Sequence, residues 1–143
     1  MSLSNVRGYF RTHFDAEGYV EWKDGFNRDD IPNSVINKSY HILSPTIVQQ
    51  NHNQIHLELV ETIETTFTLK GYRTPADAID DAHTEIEDLL DRILGHSNRT
   101  KSVSGIKNVV LDNIDIEPYS EDNDNMVRVT MRFSVLVMID VND

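Results

Sequence analysis

Two stretches of this chain alternate apolar and polar residues over unusual lengths. From Val127 to Val141 every odd position is apolar: Val127, Val129, Met131, Phe133, Val135, Val137, Ile139 and Val141. From Ile55 to Leu69 the odd positions are Ile55, Leu57, Leu59, Glu61, Ile63, Thr65, Phe67 and Leu69, with one charged exception. A two-residue period predicts a β-strand with one buried and one wet face. At ~3.3 Å per residue, the run from Val127 spans roughly 50 Å. A compact globule of this chain length is about 37 Å across. Strands of this length must bend or overhang, and an overhanging strand offers its edge to a neighbour. The pattern therefore predicts an assembly subunit before it predicts an enzyme.

A 3.6-residue period appears twice. Leu3, Val6, Tyr9, Phe10, His13 and Phe14 predict a short N-terminal helix that Gly18 ends. Pro75 to Leu94 predicts a long helix, with Thr74 as N-cap, Pro75 at the first helical position, and Asp77, Asp80 and Asp81 at its positive end. Its apolar stripe reads Ile79, Ala82, His83, Ile86, Leu89, Leu90 and Ile93, and Gly95 closes it.

Short strands are predicted at Tyr19–Trp22 and Ser39–Leu43, the second stopped by Pro45, with a polar turn over Gln49–Gln54. A third strand runs from Ile106 to Glu117, with Val110, Ile114 and Ile116 on one face, and an acidic hairpin turn follows from Tyr119 to Asn125. His96 to Gly105 is a polar connector. Between Lys23 and Asn37 lies a long polar loop holding Asp24-Gly25, Asp29-Asp30 and Pro32-Asn33. Phe26 and Ile31 are apolar there, so Phe26, Asn27, Arg28, Asp29 and Ile31 form a predicted partner-binding segment. The fold class is α+β: one domain over residues 1–143, a mainly antiparallel, meander-like sheet of long strands, one long helix on a face and a short N-terminal helix.

Composition narrows the functional classes. The 143 residues suit a single domain, and the net charge is −11 from 24 acidic and 13 basic residues. Nucleic-acid and anionic-membrane binding need a basic surface, which this balance disfavours. An acidic wall still suits a passage through which DNA slides without sticking. There is no cysteine, which excludes disulfides, thiolate metal sites and a cysteine nucleophile. No stretch reaches the length of a signal peptide or a membrane span, and assembly in a cytoplasm is expected.

Candidate chemistry is sparse. His52 and His56 are four apart but lie around a turn, so their spacing does not give one ligating face. Glu121-Asp122-Asn123-Asp124-Asn125 lacks the glycine and the downstream glutamate of a calcium loop. The carboxylates of the long helix sit on its polar face, without the burial that acid–base work requires. Glu61 interrupts an otherwise apolar strand face; a buried glutamate there is a functional candidate, and the favoured readings are a bulge that turns it outward or an interface ion pair. No glycine-rich phosphate loop, nucleophile elbow or zinc signature occurs. No cofactor and no enzymatic activity are expected. Leu136 and Met138 make the end of the last strand apolar on both faces, so a second covering layer is required there, part of it expected from Val6, Phe10 and Phe14 of the N-terminal helix and the remainder from a neighbouring subunit. Leu136, Met138 and Glu61 are the predicted subunit interface.

The order of elements resembles that of bacteriophage tail-terminator, or tail-completion, proteins of long-tailed phages, including the lambda type. The parts that carry the likeness are the N-terminal helix, Ser39-Tyr40-His41-Ile42-Leu43, the long strand Ile55–Leu69, the helix from Thr74-Pro75-Ala76-Asp77, the turn Pro118-Tyr119-Ser120-Glu121-Asp122 and the final strand. The resemblance covers nearly the whole chain in order and proportion, with no diagnostic motif. It implies a homo-hexameric ring in the virion tail that caps the tail tube and offers a head–tail joining surface. Its partners would be further copies of itself, the tail tube protein and the head–tail connector protein, with DNA passing through. Competing readings are another phage neck or head-completion protein, a small-ligand-binding α+β domain, and a cytosolic scaffold without a viral link.

Overall fold

The computed structural model describes residues 4–23, 31–32, 35–52, 56–95, 105–121 and 123–140. The elements in chain order are α1 (Ser4–Ala16), β1 (Val20–Glu21), β2 (Ser39–His52), β3 (His56–Lys70), α2 (Pro75–Ile93), β4 (Ile106–Glu121) and β5 (Asp124–Asp140). They form an α+β fold around one five-stranded sheet of order β1-β2-β3-β5-β4. The sheet is antiparallel except at one edge, where β1 pairs parallel to β2 at Val20–Ser39 and Glu21–Tyr40. The predicted meander is therefore corrected twice: the first strand is parallel, and β5 inserts between β3 and β4.

The two long alternating runs are neighbours. β3 and β5 pair without a register shift from His56–Asp140 to Lys70–Met126. Matching parity places Ile63, Phe67, Val129, Met131, Phe133, Val135 and Val137 on one face, all of them buried. Both helices cover that face. From α1 come Val6, Tyr9, Phe10 and Phe14, and from α2 come Ala78, Ala82, Ile86, Leu89 and Ile93. Phe10 meets Phe133 at 5.0 Å between ring centroids, and Phe14 stacks on Tyr40 at 4.7 Å. α1 stops at Gly18, whose φ of +87° suits a residue without a Cβ, and the Tyr19 N–H returns to the Phe14 carbonyl. α2 starts as expected: the Asp77 N–H donates to the Thr74 hydroxyl at 3.2 Å. Its stripe is rotated from the predicted one. Ala78 is buried, whereas Ile79 is half-buried and His83 exposed.

Bulges decide what the sequence pattern leaves ambiguous. Pro45 does not stop a strand; β2 continues to His52, and Pro45 lies where its register against β3 shifts between Leu43 and Thr46. An outer strand tolerates proline at a bulge because the missing N–H is needed least there. The predicted turn at Gln49 begins instead as strand. β4 carries two register shifts against β5, between Ile106 and Asn108 and between Leu111 and Asn113. Each reverses parity, so Ile106, Val109, Leu111, Ile114 and Ile116 all pair with odd positions of β5. Val110 is opposite Ser134 on the other face and exposed, contrary to the face assigned from spacing.

Among the described residues, the second face of the sheet is covered at one end only. Ile31, Ile36 and Met126 form a small separate core there, with Trp22 and Tyr119 packed against it. Beneath it, Ser39, Thr66 and Thr68 are buried. Towards the other end of this face, Leu43, Val48 and Val110 are exposed, while Val60, Leu136 and Met138 are half-buried.

Candidate functional site

The predicted interface residues fall at different places. Leu136 and Met138 lie on the second face, opposite Val60 and Glu58 of β3 respectively. Val48 pairs with Val60 in turn, so Val48, Val60 and Leu136 form an apolar row across three strands. No helix lies on this side among the described residues.

Glu61 lies on the helix-covered face and is only 2% exposed. No bulge turns it outward, because β3 keeps its register through it. The bulge is in β2, across the ladder, and brings Ser44 to donate a 2.8 Å hydrogen bond to Glu61 Oε1. Glu61 Oε2 is buried without a hydrogen-bond partner. Burial pushes this carboxyl above its ordinary pKa, against the opposing pull of the Ser44 bond and the Arg7 charge. The predicted outward-turned or interface glutamate is thus corrected to one held inside the subunit.

Of the predicted partner-binding segment, Phe26, Asn27, Arg28 and Asp29 lie outside the described residues. Ile31 is buried in the small second core. Its apolar character is therefore used by the chain's own packing, which corrects its reading as a partner contact.

A cleft that the sequence does not single out lies at the end of β1. It has a volume of about 460 Å³ and is lined by Arg7, Arg11, Glu21, Trp22, Lys23, His41, Ile42 and Leu43. Three elements build it. α1 supplies Arg7 and Arg11 one turn apart, β1 ends in Glu21, and β2 supplies His41 to Leu43. Glu21 accepts from two Arg11 nitrogens, Nε at 2.9 Å and Nη2 at 3.2 Å, and lies 3.7 Å from Lys23 Nζ. The lining thus holds one carboxylate, Glu21, paired with Arg11 and Lys23, and a third basic side chain, Arg7. Arg7 Nε is buried without a hydrogen-bond partner. The cleft is positive in a chain of strongly negative balance, and β1 ends where the outer edge of β2 opens.

Acidic side chains gather elsewhere. Glu17, Glu85 and Asp88 bring carboxylate oxygens within 4.8 Å of one another. Glu17 pairs with Arg92, and Glu85 lies 3.4 Å from Lys38 Nζ. These two bases offset two of the three carboxylates, so the trio reads as a helix-docking network. At the β4–β5 turn, Asn123 takes φ +66°, a turn conformation that asparagine tolerates. His52 is exposed and His56 half-buried at the facing ends of β2 and β3. No helix among the described residues is long and apolar enough to cross a membrane. No protein-family model matches the chain, and no curated protein matches it.

Proposed function

We propose that this chain is a virion structural protein that caps a phage tail tube as a homomeric ring and forms the head–tail joining surface. The observation that carries the reading is an incomplete sheet. Its strands reach 15 residues in β3 and 17 in β5. β1 pairs with only two residues of β2, and β4 forms the opposite edge. Part of the second face, around Leu136 and Met138, exposes apolar side chains. A subunit that completes itself against copies accounts for the open edges and the open face together. The element order adds the likeness to tail terminators. The acidic outer side of α2, with Asp80, Asp81, Glu87, Asp88 and Asp91 exposed, suits a wall that DNA passes without binding. The positive cleft is small and partly neutralised by Glu21.

Electron microscopy of the purified protein tests the reading. The expected result is rings with a central opening that bind the end of tail tubes and stop their growth. A monomer at all concentrations would sink it. Rings that ignore tubes but join filled heads would favour a head-completion protein instead.

A further inference from the structure

The two outer edges of the sheet differ in charge. β2, from Ser39 to His52, contains no carboxylate, in a chain with 24 of them. Its outer edge starts beneath the positive cleft. There the Trp22 N–H donates to the Tyr40 carbonyl at 2.8 Å, and from His41 onward no described strand lies on it. β4 carries Asp112, Asp115, Glu117 and Glu121 against Lys107 alone. From Asn113 to Glu121 it pairs with β5 without a register shift, so that length of its free edge is regular.

Resting on the ring reading, we infer that the outer edge of β2 receives the outer edge of β4 from a second copy of this chain. Three antiparallel steps separate the two strands, β2 to β3, β3 to β5 and β5 to β4, so they run in opposite directions. A neighbour carried round an axis parallel to the strands therefore presents β4 antiparallel to β2, the better-paired arrangement. The contact is head-to-tail, joins unlike surfaces, and leaves each copy with one edge of each kind to pass on. Arg7, Arg11 and Lys23 face the incoming acidic strand. The bulge at Pro45 interrupts β2 as a template, so the charges rather than an unbroken ladder set the register. The same bulge disfavours indiscriminate pairing with other strands.

Two charge-reversed variants test this. Lys23→Glu with Gln49→Glu makes the β2 edge acidic; Glu117→Lys with Glu121→Lys makes the β4 edge basic. All four positions are exposed. Each variant alone carries like charges on both edges and should stay monomeric by native mass at concentrations where the wild type assembles. Mixed in equal amounts, each edge meets an opposite partner, and an alternating one-to-one assembly should form. Trp22, the chain's only tryptophan, lines the cleft, so its emission should shift to shorter wavelength on mixing. Either variant assembling alone as the wild type does, or a mixture that stays monomeric with unchanged emission, would overturn the inference. If a double variant loses its native circular dichroism, the single changes Lys23→Glu and Glu117→Lys repeat the comparison, and the same two results support or overturn it. Rings formed by both variants separately would remove the edge pairing and leave the ring reading intact. A wild type that never assembles would remove both.

Discussion

Ser44 and Glu61 face each other across β2 and β3, and the hydroxyl of the first donates a 2.8 Å hydrogen bond to the carboxylate of the second. The contact exists because β2 bulges at this point. A regular ladder would place side chains of one face opposite each other without the extra residue that brings Ser44 round. The carboxyl nevertheless keeps one buried oxygen without a partner. Burial raises its pKa in the folded chain relative to the unfolded one. Its stabilising proton is therefore held below the unfolded pKa and lost as pH rises through the raised folded value. Glu61→Gln keeps an acceptor for Ser44 and removes the buried charge. It should stabilise the fold at pH 7 by roughly 1 kcal/mol, and by less near pH 4, in denaturant titrations at the two pH values. A variant less stable than wild type at pH 7 would show that the Arg7 attraction outweighs desolvation.

His13 titrates in the opposite sense. It is buried on α1, packs edge-on against Tyr9 with centroids 4.8 Å apart, and feels the Arg92 charge. Burial first, and Arg92 second, lower its pKa below 6.5. The folded chain therefore binds fewer protons here than the unfolded chain, and stability falls as pH drops below about 6.5. His13→Gln should flatten the stability curve between pH 7 and 5. An unchanged slope in that window would assign the acid loss to other groups.

The core of the fold is legible where one period holds without interruption. β3, β5 and α2 follow directly from two- and 3.6-residue patterns, and the opposite charges on the wet faces of β3 and β5 agree with their pairing. Glu64 and Arg132, both wet-face residues by their spacing, are directly opposite and 3.1 Å apart. The departures from the pattern occur at bulges. A single extra residue shifts parity, and nothing in the composition of β4 marks which residue is extra, so spacing alone puts Val110 on the wrong face. Pro45 looks like a stop because its missing N–H counts heavily in a central strand, yet it counts little at an edge. The cleft is invisible in the sequence because Arg7, Arg11, Lys23 and His41 come from separate stretches with no shared spacing.

Leu89 tests the helix-to-sheet packing. It is fully buried between α2 and the sheet. Leu89→Ala should cost about 2–5 kcal/mol in denaturant titrations, through lost burial and a cavity. His83→Ala, on the exposed side of the same helix, should change stability by less than about 0.5 kcal/mol. Equal costs at the two positions would mean that α2 is rotated.

Tyr9 ties the two helices together by donating from its hydroxyl to the Ile93 carbonyl, in the last turn of α2. That carbonyl has no partner further along its own helix. Tyr9→Phe keeps the ring and leaves a buried acceptor unpaired, so a loss of about 1–3 kcal/mol is expected. Faster amide exchange should appear in the last turn of α2 before it appears in β5. Uniform loss of protection would show that the bond adds to global stability without holding that helix end.

Val135 and Leu136 are adjacent and point to opposite faces of β5. Val135 is fully buried under the helices, whereas Leu136 is half-buried in the row with Val60 and Val48. A charge at Val135 enters a dry core with no partner, so Val135→Asp should unfold the subunit or cost several kcal/mol. A charge at Leu136 or Met138 can reach water in the single subunit and is buried only if another surface covers the row. Leu136→Glu with Met138→Glu should therefore lower the oligomer's sedimentation coefficient while leaving far-ultraviolet dichroism and the monomer's melting curve close to wild type. An oligomer of unchanged size would mean that the row stays open to solvent in the ring, and that the subunits meet through their strand edges alone.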